Sequence, residues 1–220
     1  MKVKFSLLLV AAVSLFAVSG FADTTYNNFT GYNDFWHPYG DPSDATQTYG
    51  ELFTSPSSGD TNLLDFSFYM GNPYASGNII TGAYIATWTG TGAGTLLYSA
   101  GPINYSNTGD AQITVNTGGL SLTANTQYVM FLSTSNFSGQ SVGEAYVASG
   151  DSIPGLNGFV YYNNGSDFNA LFNSQWDATG LTPDWAVNLH FSNVPEPGTL
   201  GLLVLGGLGV VGAWRKRRSA

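Results

Sequence analysis

The sequence predicts an all-β protein: a single β-sandwich or jelly-roll-like domain between a signal peptide and one C-terminal transmembrane helix. Short apolar alternations of period two recur between clusters of Gly, Asn, Ser and Thr, and no long segment shows the 3.6-residue period of an amphipathic helix. The chain has no cysteine. The domain is therefore expected to be held by its hydrophobic core rather than by disulfides, and its length is sufficient for such a core.

The N-terminal segment, residues 1–22, is predicted to be a secretory signal peptide. Lys2 and Lys4 precede an apolar run from residue 5 to residue 18, and the small residues Gly20 and Ala22 follow it. A positive start, a short apolar stretch and small residues at the −3 and −1 positions are typical of a signal peptide that is cut after Ala22.

The region 23–193 is predicted to be a β-sandwich ectodomain. One early strand has alternating apolar residues that should share a face, namely Leu64, Phe66, Phe68 and Met70. The segment Gln127–Ser133 is apolar on both faces, which predicts a central strand.

Three further strands are placed by the turn residues that follow them. Ile113 and Val115 precede the turn-like residues 116–119, and the apolar residues 159–162 precede Asn-Asn-Gly at 163–165. A last strand, with Trp185, Val187, Leu189 and Phe191 alternating with smaller or polar residues, is expected to complete a sheet just before a linker at Asn193.

The C-terminal segment is predicted to cross a membrane. Residues 199–214 carry no charge, and as a helix they would be about 24 Å long at about 1.5 Å per residue. The hydrocarbon layer is about 30 Å thick, so the length alone is marginal. The basic run that follows favours a stop-transfer signal on the cytoplasmic side, formed by Arg215, Lys216, Arg217 and Arg218.

The whole tail, residues 194–220, resembles a PEP-CTERM sorting signal. It has the tripeptide Pro195-Glu196-Pro197, then the apolar span, then the terminal basic cluster. The resemblance implies a Gram-negative host, processing by a membrane-embedded exosortase, and a recognition element formed by Pro195, Glu196 and Pro197. It assigns no catalytic residue to this chain, because the chain would be the cargo.

The middle of the chain bears a looser resemblance to a β-rich ectodomain of other PEP-CTERM cargo. The resemblance is carried by residues 83–88, 97–98 and 122–133. It implies a jelly-roll-like sandwich and no established activity.

The charge distribution excludes several functions. All six basic residues lie in the two end segments, so the span 23–194 has thirteen carboxylates and neither Lys nor Arg. Nucleic-acid binding is not expected, because phosphate neutralisation requires basic side chains. Ion pairs with Lys or Arg are impossible within this span.

The residues needed for common catalytic sites are scarce, and we predict that the protein is not an enzyme. The only histidines are His37 and His190, and nothing in the sequence places a serine beside either of them as a hydrolase triad would require. Their separation does not match zinc spacing. Glycoside hydrolysis would need two carboxyls across a sugar-sized cleft, and the sequence shows no such pairing.

A structural calcium ion is the cofactor that the carboxylates could bind. Four acidic residues fall in one turn-rich segment, namely Asp34, Asp41, Asp44 and Glu51. Calcium prefers carboxylate, amide and backbone oxygens, which are plentiful there. No EF-hand loop accompanies them, so ligand supply alone supports this hypothesis.

Taken together, these patterns predict a non-enzymatic exported protein of the cell surface or extracellular matrix, sorted and cleaved by an exosortase. It would be held in the membrane by its C-terminal helix before processing. The alternative is a carbohydrate-binding module acting on exopolysaccharide. For that role Trp36 and Trp176 are the candidate stacking residues, because both lie in polar, turn-rich contexts, whereas aromatics at alternating positions usually fill a sandwich core.

Overall fold

The computed structural model describes residues 23–31, 35–40, 46–57, 59–106, 109–138, 140, 142–177 and 184–193. These residues are almost all in strands and connections, with two short 3₁₀ helices at Ser135–Phe137 and Phe168–Phe172. The prediction of an all-β fold is confirmed. The strands are β1 Thr24–Asn27, β2 Phe35–Gly40, β3 Thr48–Thr54, β4 Asn62–Trp88, β5 Ala93–Ser106, β6 Ala111–Ser121, β7 Gln127–Ser133, β8 Val142–Gly150, β9 Leu156–Tyr162, β10 Asp184–Trp185 and β11 Val187–Ser192.

Strand β4 organises the sandwich because it is long enough to belong to both of its layers. Its first half pairs with β11 on one edge and β6 on the other, and β1 extends that layer beyond β11. Its second half pairs with β5 and β7, and β3 and β9 extend that layer beyond β7. Strand β8 pairs with the middle of β4 and also with β2 and β10. All these pairings are antiparallel.

The main hydrophobic core lies between the two layers. Phe66 and Phe68 from the first half of β4 and Phe191 from β11 are fully buried there with Phe53 from β3. The rings of Phe53 and Phe191 lie 6.2 Å apart although their strands are not neighbours. Contact between side chains of separate layers is what the sandwich prediction requires.

The second layer is covered on its outer face as well. Val129 and Phe131 of β7 point away from the main core into a smaller cluster, which Leu171 and Trp176 close from the connection after β9. Six of the seven residues of β7 are buried. The prediction of a central strand at Gln127–Ser133 is therefore confirmed.

The first strand prediction is wrong at one residue, because β4 contains a bulge. On the β11 side, His190 faces Asp65 and Phe191 faces Leu63; on the β6 side, Leu64 is skipped in the same way. A bulge reverses the alternation of side chains. Leu63 is consequently fully buried, and Leu64 is only half-buried.

A bulge also replaces the turn predicted after Val115. Strand β6 continues to Ser121, and Gly118 and Gly119 have φ values of +72° and +98°. Glycine adopts such angles without a steric cost. The hydroxyl of Thr117 donates a hydrogen bond to the carbonyl of Leu63, which fixes the extra residues of β6 against β4.

The two leucines at the β4 bulge should differ sharply in their effect on stability. Leu63→Ala is expected to lower the free energy of unfolding by about 2–5 kcal/mol, because it leaves a cavity in the core. Leu64→Ala should cost less than about 1 kcal/mol, because little apolar surface is lost from the interior. Urea denaturation of both variants measures the two losses in the free energy of unfolding. Equal losses would contradict a bulge at Leu64.

The last predicted strand is divided in the structure. Trp185 belongs to β10, which pairs with β8, and β11 begins only at Val187. Within β11 the prediction is confirmed, because Val187, Leu189 and Phe191 are fully buried between partly exposed residues and the strand ends at Ser192, one residue before the expected linker. Among the described residues no helix is long and apolar enough to span a membrane. The signal peptide and the predicted span at 199–214 lie outside them.

Candidate functional site

The residues predicted to direct sorting all follow the folded domain. The described chain ends at Asn193, directly after β11, and Pro195, Glu196, Pro197 and the basic cluster 215–218 lie outside the described residues. The last described strand, β11, lies between β1 and β4 and pairs with both. Removing the chain beyond this point would take away no described strand.

Trp176 is not the exposed stacking residue that the sequence predicted. Its side chain is 1% exposed, its indole Nε1–H donates to the Leu171 carbonyl at 2.9 Å, and its ring packs edge-on against Phe131. A sugar could not reach either face of this ring. Trp176 lies in the connection after β9, whose polar residues made its position look exposed in the sequence. This connection covers the outer face of β7, so Trp176 is buried although it is not in a strand.

Trp36 lies in β2, opposite Val147 of β8, and its side chain is not among those described. The glycan-stacking hypothesis for Trp36 therefore stays a prediction. The same holds for three of the four calcium candidates, because Asp34, Asp41 and Asp44 lie outside the described residues.

Glu51, the fourth calcium candidate, is the most unusual ionisable group in the domain. It lies in β3 with no exposed surface. Oε1 accepts the backbone N–H of Gly158 at 3.1 Å, and Oε2 accepts that of Trp185 at 3.0 Å. Both oxygens therefore face hydrogen-bond donors, which would repel a cation. This geometry argues against Glu51 as a calcium ligand, and the described residues bring together no group of three potential metal ligands.

A second buried carboxyl lies near Glu51. Burial raises the pKa of Glu51 well above its usual range, the charge of Asp184 raises it further, and the two backbone N–H donors oppose this. Burial likewise raises the pKa of Asp184, against a hydrogen bond from Ser152. The sequence did not suggest this pair, because its members are 133 positions apart and meet only through β3 and β10.

His190 is held between two carboxylates on the open face of β11. Its Nδ1 lies 3.2 Å from Asp65 Oδ2, and its Nε2 lies 3.2 Å from Asp23 Oδ2. Burial lowers the pKa of His190, but the hydrogen bonds and charges of Asp23 and Asp65 outweigh it and raise the pKa overall. In its protonated form His190 supplies a positive charge in a region that has no Lys or Arg, and its two contacts join β11 to Asp65 of β4 and to Asp23, the residue before β1.

The sequence contains one Gly-x-Ser-x-Gly string, at residues 139–143, which is the pattern of a hydrolase nucleophile elbow. That elbow requires a helix directly after the serine. Here the strand β8 begins at Val142 instead. The string therefore lacks the structural context that would make it catalytic.

The outer face of the first layer carries a row of polar side chains, some exposed and some, such as Ser67, buried. Thr114 and Gln112 of β6 bond Ser67 of β4 at 2.9 Å each, and Asn188 and His190 of β11 continue the row. An antiparallel sheet with one solvated face has this composition without any ligand. The face offers hydroxyl and amide groups, and most of them already bond one another.

Comparison with known proteins bears on the tail alone. Residues 193–218 match the family model of the PEP-CTERM protein-sorting motif. No curated protein and no solved structure matches the chain. The matched segment begins at Asn193, the residue that follows β11.

Proposed function

We propose that this chain, a bacterial protein exported to the cell envelope under a PEP-CTERM sorting motif, is a non-enzymatic surface or extracellular-matrix protein that an exosortase cleaves in its tail. The observation that carries the proposal is the match of residues 193–218 directly after the last strand. The host would be Gram-negative, as the sorting signal implies.

The composition of the domain is compatible with a location outside the membrane once the tail has been removed. Its thirteen carboxylates, with no Lys or Arg between residues 23 and 194, keep it soluble and repel anionic lipid and nucleic acid. The chain has no cysteine, and each strand among the described residues ends by Ser192, before the matched segment begins. These properties support a role within the hydrated exopolysaccharide matrix of the envelope.

The processing step can be tested in a Gram-negative host that expresses the full chain with or without an exosortase. We expect the chain to shorten at its C-terminus and leave the inner membrane only when the exosortase is present. A variant with Pro195→Ala, Glu196→Ala and Pro197→Ala should stay full-length and membrane-bound.

A matched control carries Val194→Ala, Gly198→Ala and Thr199→Ala and keeps the tripeptide. It should be processed like the natural chain. Equal processing of the tripeptide variant would overturn the assignment of the recognition element. A hydrolytic activity that copurifies with the ectodomain through successive columns would overturn the non-enzymatic role.

A further inference from the structure

An Asn-Gly pair occupies a bulge in β9, next to the buried Glu51. Leu52 of β3 faces Gly158, and Phe53 faces Leu156, so Asn157 is the extra residue. Asn157 is exposed. Gly158 has φ +118°, a conformation that other residues rarely adopt, and nothing lies within 4 Å of the place where a Cβ would be. The space beside the Gly158 Cα is therefore open, and the lack of a side chain lets the backbone adopt this conformation at the bulge.

Two side chains contact the reacting atoms of this pair from opposite sides. The Glu51 carboxylate accepts the Gly158 N–H at 3.1 Å, and the Thr54 hydroxyl donates to Asn157 Oδ1 at 2.7 Å. The ionised carboxylate of Glu51 can act as a general base on the nitrogen at this distance. Because burial raises the pKa of Glu51, this form gains population as the pH rises, and the rate at Asn157 should rise with it. A hydroxyl at this distance stabilises negative charge that develops on an amide oxygen under attack.

We propose that Asn157-Gly158 is a self-modification site, at which Glu51 and Thr54 promote closure of a succinimide ring and its later opening by water. The two groups act as catalytic residues in this reaction, because each touches a reacting atom.

The chemistry needs no reagent besides water. Glu51 takes the proton from the Gly158 nitrogen, which attacks Cγ of Asn157 and forms the N–Cγ bond. Thr54 stabilises the resulting oxyanion. The Cγ–Nδ2 bond then breaks, and the nitrogen leaves as ammonia with the proton held by Glu51. Water opens either imide carbonyl, so that position 157 becomes aspartyl or isoaspartyl.

The chain contains a second Asn-Gly pair that lacks these features. Asn164 is 9% exposed, and its Nδ2 donates to Ser135 Oγ at 2.6 Å and to the Asp167 carbonyl at 2.9 Å. Its leaving group is therefore held in place. The Gly165 N–H donates to the amide oxygen of Gln47 at 2.9 Å, which is not a base of useful strength. Modification should therefore be selective for Asn157.

The modification would place a new carboxylate on an edge of the second layer. β9 pairs with β3 along one side, and an isolated bridge from Tyr161 to Asp177 is the described contact on its other side. The isoaspartyl product would also lengthen the backbone at the bulge by one atom. An exported protein that is not replaced after delivery would accumulate this change with age.

The test uses the purified full-length chain, incubated at neutral pH and digested with a protease that does not require Lys or Arg. Peptide mass spectrometry follows ammonia loss and water gain at both pairs, and hydroxylamine traps the succinimide by cleaving the chain there. We expect Asn157 to react at least about tenfold faster than Asn164, which is a modest share of what a general base supplies. In urea the two rates should converge, and the rate at Asn157 should fall.

Substitutions of Thr54 and Glu51 distinguish catalysis by these side chains from the simple effect of Asn157 being exposed. Thr54→Val should slow the reaction at Asn157 about tenfold, while Thr54→Ser should keep it, since the hydroxyl remains. Glu51→Gln should slow the reaction at Asn157 further, because it removes the base. If Glu51→Gln does not fold, the comparison of Thr54→Val with Thr54→Ser tests the proposal. Equal rates at Asn157 and Asn164 in the folded chain, or an unchanged rate in Thr54→Val, would overturn the proposal.

Discussion

Replacing Trp185 with Ala is expected to lower the free energy of unfolding by about 3–5 kcal/mol, the range for removing a large aromatic from a packed core. Trp185 is 1% exposed at the point where β10, β3 and β9 meet β4. Its ring lies 4.5 Å from that of Phe68, and its Nε1–H donates to the Tyr69 carbonyl at 3.0 Å. The change therefore removes ring contacts and a buried hydrogen bond together.

Trp185→Phe is the matched control. It keeps most of the ring contacts and removes the hydrogen bond from the indole to the Tyr69 carbonyl, so a loss of about 1–3 kcal/mol is expected. Urea denaturation of the full set measures both losses. A loss below about 1 kcal/mol for Trp185→Ala would contradict the placement of this residue in the core.

The stability of the domain is expected to fall as the pH rises from about 4.5 towards neutrality and above. Glu51 has a pKa raised by burial and by Asp184, so the folded state binds a proton more tightly than the unfolded chain. Stability from this proton is fully present below the pKa of the unfolded chain and is lost as the pH passes through the folded pKa. Asp184 has the same sign, because burial raises its pKa too.

His190 adds a contribution of the same sign at higher pH. Its pKa is raised above 6.5 by Asp23 and Asp65 against the effect of burial, so the stability it contributes is lost as the imidazole deprotonates. The melting temperature should accordingly be higher at mildly acidic pH than at pH 8.

Glu51→Gln separates the buried carboxyl from the general charge of the domain. The variant should show a flatter dependence of melting temperature on pH, because the group that titrates in the interior is gone. Asp151→Asn is the control, since Asp151 is an exposed carboxylate and its removal should leave the slope unchanged. A natural chain whose stability rises steadily from pH 5 to pH 8 would contradict the raised pKa of Glu51.

The period-two pattern predicted the regular strands well. In β11 the alternation of residues in the sequence became an alternation of burial, and in β7, which is apolar on both faces, six of the seven residues are buried. The pattern failed at Leu64 and at Gly118, where a bulge adds a residue and reverses the faces. Hydrophobicity alone does not reveal such a residue, because it depends on the partner strand.

The candidate site was less predictable for a different reason. Burial of Trp176 depends on a connection that folds back over β7, and burial of Glu51 depends on backbone donors from β9 and β10. Both are long-range contacts that no local pattern encodes. The sequence contains the Asn157-Gly158 pair, but it does not show the contacts with Glu51 and Thr54 on which the proposed reaction depends. Those contacts arise only from the pairing of β3 with β9.

The most direct test of the central claim is the intact mass of the protein recovered from the envelope or medium of a host with an active exosortase. The account predicts a chain that begins at Asp23 and ends within the matched segment 193–218, without the basic residues 215–218. A recovered protein whose mass still includes Arg215, Lys216, Arg217 and Arg218 would contradict it.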